Sequence, residues 1–246
     1  MVTKSFSIQE AFSYGWAMFR KHAREIIPFC IVFAVVSIVF GALVRSTEIR
    51  APLASNLFNA LGTITQLVLM LGLIKITFKL EHGKEVAWAD FLSMRHRFFS
   101  YFFAFILLIL GSGIVFLLPA VGLFAFAITH HQMFLPLLLG AIILIAGLFI
   151  ITRFKLLAYV IVDTDLKGMA ALKKSWELTK HDSLEFFLFV ILAVILNIFG
   201  AIVFVVGLFV TAPLTLFAMV FVYRKLSAHH KTKHAESHHA EKETTE

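Results

Sequence analysis

FFLFVILAVILNIFGAIVFVVGLFVTAPLTLFAMVFVY, residues 186–223, runs for 38 positions without an Asp, Glu, Lys or Arg. A helix needs roughly 20 apolar residues to cross a ~30 Å hydrocarbon core. The stretch is therefore one overlong span, or two tight ones hinged between Gly200 and Gly207. The choice decides on which side of a membrane the chain ends.

Three other charge-free runs lie upstream: 26–44 (19 residues), 51–74 (24) and 98–152 (55). The first two fit one span each. The third fits two, with the turn at its most polar stretch, His130, His131 and Gln132. Lys and Arg favour the cytoplasmic side. With six spans and both termini inside, the cytoplasmic segments are 1–25, 75–97, 153–185 and 224–246. They hold four, five, six and five Lys plus Arg, which is 20 of the chain's 22, and leave only Arg45 and Arg50 outside. A single span in 186–223 would put Arg224, Lys225, Lys231 and Lys233 outside as well. Six spans are expected, in an all-α polytopic membrane protein of the cell membrane with cytoplasmic N- and C-termini.

Composition points the same way. The 246 residues are 60% hydrophobic and 15% charged. A soluble domain carries about 25% charged and 45–50% apolar residues. The mean hydropathy is +0.90. These values exclude disorder, collagen, a disulfide scaffold and an ordinary soluble enzyme for the body of the chain. The 28 Phe against 4 Tyr and 3 Trp suit side chains that face lipid. The net charge of +7 reads as topology plus contact with anionic headgroups. Nucleic-acid binding would need a basic, folded, soluble face, and none is expected. No cleavable signal peptide is expected, because the first apolar run starts at residue 26 with no clean small-residue cleavage site after it. The single Cys30 rules out an intrachain disulfide.

The three tryptophans, Trp16, Trp88 and Trp176, each lie nine residues before the last charge ahead of an apolar run: Glu25, Arg97 and Glu185. The equal offset suggests a repeat of about 1–79, 80–155 and 156–226. Each unit would be a cytoplasmic amphipathic helix followed by a two-span hairpin. EAFSYGWAMFRKHARE and AALKKSWELTKHDSLE align at an offset of 160, pairing Trp16 with Trp176 and Arg20 with Lys180. The middle unit, GKEVAWADFLSMRHRF, is more diverged. In the first helix Ile8, Ala11, Phe12, Trp16 and Phe19 recur at helical spacing, opposed by Lys4, Arg20, Lys21 and Arg24. In the third, Met169, Leu172, Trp176 and Leu178 oppose Lys173, Lys174 and Lys180. Such helices lie in the headgroup plane, with Trp at the interface and cations towards phosphate. The alternative is a cytoplasmic cap in which they pack on one another. Thr164 or Asp165 is expected to cap the third helix, and Ser5 or Ser7 the first. Residues 1–226 form the membrane domain; 227–246 form a disordered, His-rich cytoplasmic tail.

LLAYVIVDTDLKGMAALKKSWELTKHD (156–182), VGLFVTAPLTLFAMVFVYRKL (206–226) and the opening IQEAFSYGWAMFRK (8–21) together resemble the bacterial YciC-like group of six-span membrane proteins. They are also similar to the membrane domain joined to some glycerophosphodiester phosphodiesterases. The resemblance covers most of residues 5–226. It implies an integral membrane location and a bacterial source. The soluble phosphodiesterase domain is missing from this sequence, so that activity does not carry over.

Ionisable residues buried within spans are costly and mark function. The four runs contain none, which argues against a proton-coupled carrier and an intramembrane aspartyl protease. The most polar span is the second, with Asn56, Asn59, Thr63, Thr65 and Gln66. Asn56, Asn59 and Thr63 share one helical face, which either lines a polar cavity or makes interhelical hydrogen bonds. Asn197 in the fifth span reads the same way. Asp163 and Asp165, near Arg153 and Lys155, could hold a metal or act in acid–base work; the simpler reading is a cap and a surface pairing. His229, His230, His234, His238 and His239 are weak metal candidates, lacking a partner Cys or a rigid frame. No cofactor and no catalytic residue is expected. Gly140/Gly147 and Gly200/Gly207, each seven apart, suit close helix packing. Pro28, Pro119 and Pro136 are expected to kink their helices, and Pro213 to break the sixth.

The leading expectation is a non-enzymatic membrane-integrity, lipid-handling or assembly-accessory protein. Its partners would be membrane lipids, with anionic headgroups at the cytoplasmic face, and for assembly a membrane protein. The alternative is a small-solute transporter or channel lined by the second span; a membrane enzyme using Asp163 and Asp165 comes third.

Overall fold

The computed structural model describes residues 5–130, 134–164, 166–202 and 206–243. Among them all regular structure is helical. A polar backbone in hydrocarbon must satisfy itself within one segment or a closed barrel, and the apolar runs do so as helices. The elements are α1 (Ile8–Thr47), α2 (Pro52–Glu81), α3 (Trp88–Leu92), α4 (Phe98–Ser112), α5 (Leu118–His130), α6 (Phe134–Thr152), α7 (Leu157–Asp163), α8 (Gly168–Thr179), α9 (Ser183–Ile202) and α10 (Leu208–Glu243). A 3₁₀ turn, Ser93–Arg97, joins α3 to α4, and a π turn, Gly113–Leu117, joins α4 to α5.

Six helical stretches are long and apolar enough to cross a membrane: Ile8–Thr47, Pro52–Glu81, Phe98–Thr129, Phe134–Asp163, Ser183–Ile202 and Leu208–Thr232. The run 186–223 thus divides into two helices. Gly207 sits in the turn before α10, where a Cβ would lie 2.4 Å from the Gly200 carbonyl oxygen. This pair is not a stripe on one helix; it is a backbone contact between two. The run 98–152 also divides in two. Its expected turn residues His131 and Gln132 lie outside the described residues, and His130 ends α5.

Several local expectations give way to the structure. The first amphipathic segment and the first span are two helices joined across a kink at His22 (φ −115°, ψ 17°) within the 40-residue α1. The middle segment shrinks to the five residues of α3 plus the 3₁₀ turn. The N-cap of α8 is Lys167, with no side-chain cap, rather than Thr164 or Asp165. Thr164 instead ends α7, donating its hydroxyl to the Val160 carbonyl (2.7 Å); Asp165 is outside the described residues. Ser7 is the N-cap of α1 without a side-chain bond. The Ser5 hydroxyl donates to Asp182 (2.5 Å) at the start of α9. Pro213 lies inside an unbroken α10, since only the carbonyl four residues earlier loses its donor. The same helix carries on to Glu243.

The core gathers at the ends of the helices that carry the lysines and arginines. Burial in α1 reaches only as far as Cys30, in α2 it begins in earnest at Leu69, and in α10 it spans Leu214–Leu226. Between these helices lies α7, whose Leu157 to Ile161 are all buried. Phe186 and Phe189 of α9 complete the cluster. α1 packs chiefly against α10 and α2. Small residues allow the approach: a Cβ on Gly15 would meet the Leu214 carbonyl at 2.6 Å, and one on Gly72 the Phe91 carbonyl at 2.0 Å. The Schellman motif at the end of α2 sends the chain back under this core. Gly83 (φ +64°) donates to Leu80 O and Lys84 to Lys79 O, the pattern that satisfies the last carbonyls. Asp90 then accepts from Lys79 (2.7 Å) and from the Ala87 amide (2.9 Å), pinning α3 beneath α2. By contrast, the opposite halves of α1 and α2, and most of α4 to α6, face outward.

Candidate functional site

The described surface has one large apolar recess with a charged rim, built around α8. This helix is fastened at both ends. At its start, the Gly168 amide donates to the Ser100 hydroxyl of α4 (3.0 Å). Towards its end, the Ser175 hydroxyl donates to the Arg153 carbonyl (2.9 Å). The Arg153 side chain answers, donating through Nη2 to the Trp176 carbonyl (3.0 Å) and through Nε to Thr179 (3.3 Å). Its guanidinium lies 3.5 Å from the centre of the Trp176 ring. Arg153 is only 8% exposed and makes no ion pair with a described residue. A guanidinium stacked on an indole face gains cation–π attraction, which strengthens as water is removed. Trp176 is thereby set in place, with Phe154 beside it at 5.5 Å.

Between α8, α6 and α4 with its π turn lies a groove of about 910 Å³. Leu107, Leu108, Gly111 and Ser112 line it from α4, and Val115 and Phe116 from the π turn. Ile150, Ile151 and Phe154 form the second wall. Met169, Ala170, Leu172, Lys173 and Trp176 of α8 form the third. The Gly147 backbone passes so close to Phe116 that a Cβ there would lie 2.8 Å from the ring. That contact brings α6 against the π turn. Lys173 is the only charged side chain of the groove and makes no ion pair or hydrogen bond with a described residue.

A second cavity of about 580 Å³ adjoins the first along the same edge of α4. Phe99 and Phe103 line it, two turns and one turn before Leu107, and Gly168 lines it, next to Met169. Its polar lining is Arg97, Ser100, Thr164 and Lys167. Arg97 also donates to the carbonyls of Ile161 and Thr164, closing the end of α7. Among the described residues no carboxylate lines either cavity.

The residues singled out by sequence fall in several places. Asn56, Asn59 and Thr63 are exposed, and the Thr63 hydroxyl donates to the Asn59 carbonyl of its own helix (2.9 Å). Gln66 is half-buried, and none of these four lines either cavity around α8. Asn197 bridges α9 and α10: its amide donates to Thr215 (3.2 Å), and its carbonyl accepts from Thr211 (3.1 Å). It borders a cavity of about 450 Å³ among α1, α2, α9 and α10 that also touches Cys30 and Ser37. Trp16, Arg20 and Lys21 are exposed, while Ala11, Gly15 and Phe19 on the other face of α1 are buried. Trp88 is exposed with its ring 4.4 Å from Phe29. Lys174 lies 3.3 Å from His230.

Asp163 meets neither Arg153 nor Lys155. The seven residues of α7 carry it away, and it accepts from the Tyr223 hydroxyl of α10 (2.7 Å). His230 approaches Glu177 at 3.7 Å, and His229 faces His181 with ring centres 6.5 Å apart. The side chains of His234, His238 and His239 are outside the description. Among the described residues no three His, Cys, Asp or Glu are placed to hold a metal ion.

Sequence reading missed a polar cluster where α1, α2 and α10 meet. Glu81, whose side chain is 6% exposed, accepts from Tyr14 (3.0 Å) and pairs with Arg224 (2.9 Å), which also contacts His82. The available signal was the rarity of tyrosine in a chain so rich in phenylalanine. Comparison of the chain with family models, with curated proteins and with solved structures finds no match.

Proposed function

We propose that this chain is a six-span protein of a bacterial cytoplasmic membrane, with both termini inside, that handles lipid without catalysing a reaction. Its spans pair as the hairpins α1–α2, α4/α5–α6 and α9–α10. The distribution of Lys and Arg supports the orientation, and the resemblance to the YciC-like group supports the location. The basic, outward residues Arg20, Lys21, Lys173 and Lys174 serve as contacts to anionic headgroups.

The observation that carries the lipid reading is the groove of about 910 Å³ between α4, α6 and α8. It opens between helices that face outward along most of their length, so its natural occupant is hydrocarbon. The test is to fill it. A Cβ on Gly111 meets nothing within 4 Å, so Gly111→Phe puts a ring into the groove without a clash. Native mass spectrometry of the gently extracted wild type is expected to find one lipid retained per chain, and Gly111→Phe to lose it with the melting temperature unchanged. Equal lipid retention by the two proteins would remove the groove as the site.

A further inference from the structure

The groove and its neighbour differ in lining in a way that selects among lipids. The groove is apolar except at Lys173, and the adjoining cavity is polar and basic, with Arg97 and Lys167 beside Ser100 and Thr164. Lys167, the N-cap of α8, lines the second cavity and Lys173, within α8, the first, about 9 Å apart along its axis at ~1.5 Å per residue. No described carboxylate lines either cavity, and the buried Arg153 behind Trp176 is also without one. Lysines exposed beside an apolar groove, in cavities that no described carboxylate lines, form a field that favours an anion joined to a hydrocarbon chain. Trp176, gripped by Arg153, lines the same groove as Lys173.

Resting on the lipid reading above, we propose that the paired cavities hold one anionic phospholipid of the bilayer, selected by headgroup charge. One acyl chain lies against Leu108, Phe116 and Phe154, and the phosphate lies at the edge of α8 between Lys167 and Lys173. The length fits: α4 rises about 20 Å from Phe99 to Ser112 at ~1.5 Å per residue, and the hydrocarbon of one leaflet is about 15 Å deep.

The experiment uses the full chain in vesicles of equal parts phosphatidylcholine and phosphatidylglycerol, followed by native mass spectrometry of the lipid retained. Each lysine near the surface is worth roughly fivefold in attraction for an anionic lipid. The wild type is expected to keep one phosphatidylglycerol in about 25-fold preference over phosphatidylcholine. Both lysines are exposed, so Lys167→Glu/Lys173→Glu leaves the fold intact. It is expected to keep one lipid with the preference gone. A variant that keeps the preference, or a wild type that binds one lipid without preference, overturns charge selection and leaves the groove reading standing. A wild type that retains no lipid overturns both. Displacement by excess inorganic phosphate would assign the basic edge to a free anion and overturn the proposal for lipid.

Discussion

Two of the chain's four tyrosines place their hydroxyls on carboxylates: Tyr14 on Glu81 and Tyr223 on Asp163. In a chain with 28 phenylalanines these two hydroxyls stand out, and each has an acceptor. Tyr14→Phe keeps the ring and removes one donor from the nearly buried Glu81. Hydrogen bonds to charged groups contribute about 1.5–3 kcal/mol, so a loss near ~1.5 kcal/mol is expected, seen as a lower melting temperature in detergent. Asp90 offers a pH handle. The hydrogen bond from Lys79 chiefly, and the Ala87 amide and Lys75 besides, hold its carboxyl below the usual value of 3.8. Its folded pKa being depressed, its contribution is complete above the unfolded value and is lost as pH falls through the folded one. The melting temperature of wild type is expected to fall faster than that of Asp90→Asn on acidification below about pH 4. Residues of this kind were the least legible in the sequence. Asp163 has Arg153 and Lys155 close by in number but is carried to Tyr223 by α7, and Glu81 finds its partners on two distant helices.

At the scale of elements, spans were legible because a charge-free run leaves the backbone only the helix. What joins them was not. The contacts that decide hairpin geometry are backbone approaches at glycine, and their partners are set by tertiary packing. Gly207 meets the Gly200 carbonyl, whereas a Cβ on Gly122 meets nothing within 4 Å. Gly207→Ala is therefore expected to destabilise the chain by about 1–3 kcal/mol through overpacking. Gly122→Ala, inside α5, is expected to be neutral or to stabilise by up to ~1 kcal/mol. Parallel thermal melts of the two variants check both signs. The amphipathic segments show the same limit. Their periodicity was readable, but nothing in it told that the first would join its span through a kink at His22, or that the third would be held by Arg153 just after α6.

For the whole molecule, charge asymmetry and the four runs led to six helices long and apolar enough to cross a membrane, and the groove around α8 was out of reach of either. Its walls come from three separate stretches, at 107–116, 150–154 and 169–176, and apolar residues there look no different from those of any span. The polar face of the second span drew attention because it departed from its background; the groove does not depart from it. The placement of the core has a mechanical consequence. Buried contacts concentrate where the charges are, and beyond them the far halves of α1 and α2 touch mainly each other, as at Gly62 and Phe40, and α6 meets the π turn at Gly147 and Phe116. Such a body is a stiff footing carrying paired posts. Hydrophobic mismatch is absorbed by tilt at a cost of a fraction of a kcal/mol per Å. A thinner or thicker bilayer therefore leans the posts, and the groove between two of them widens or narrows while the footing keeps its shape.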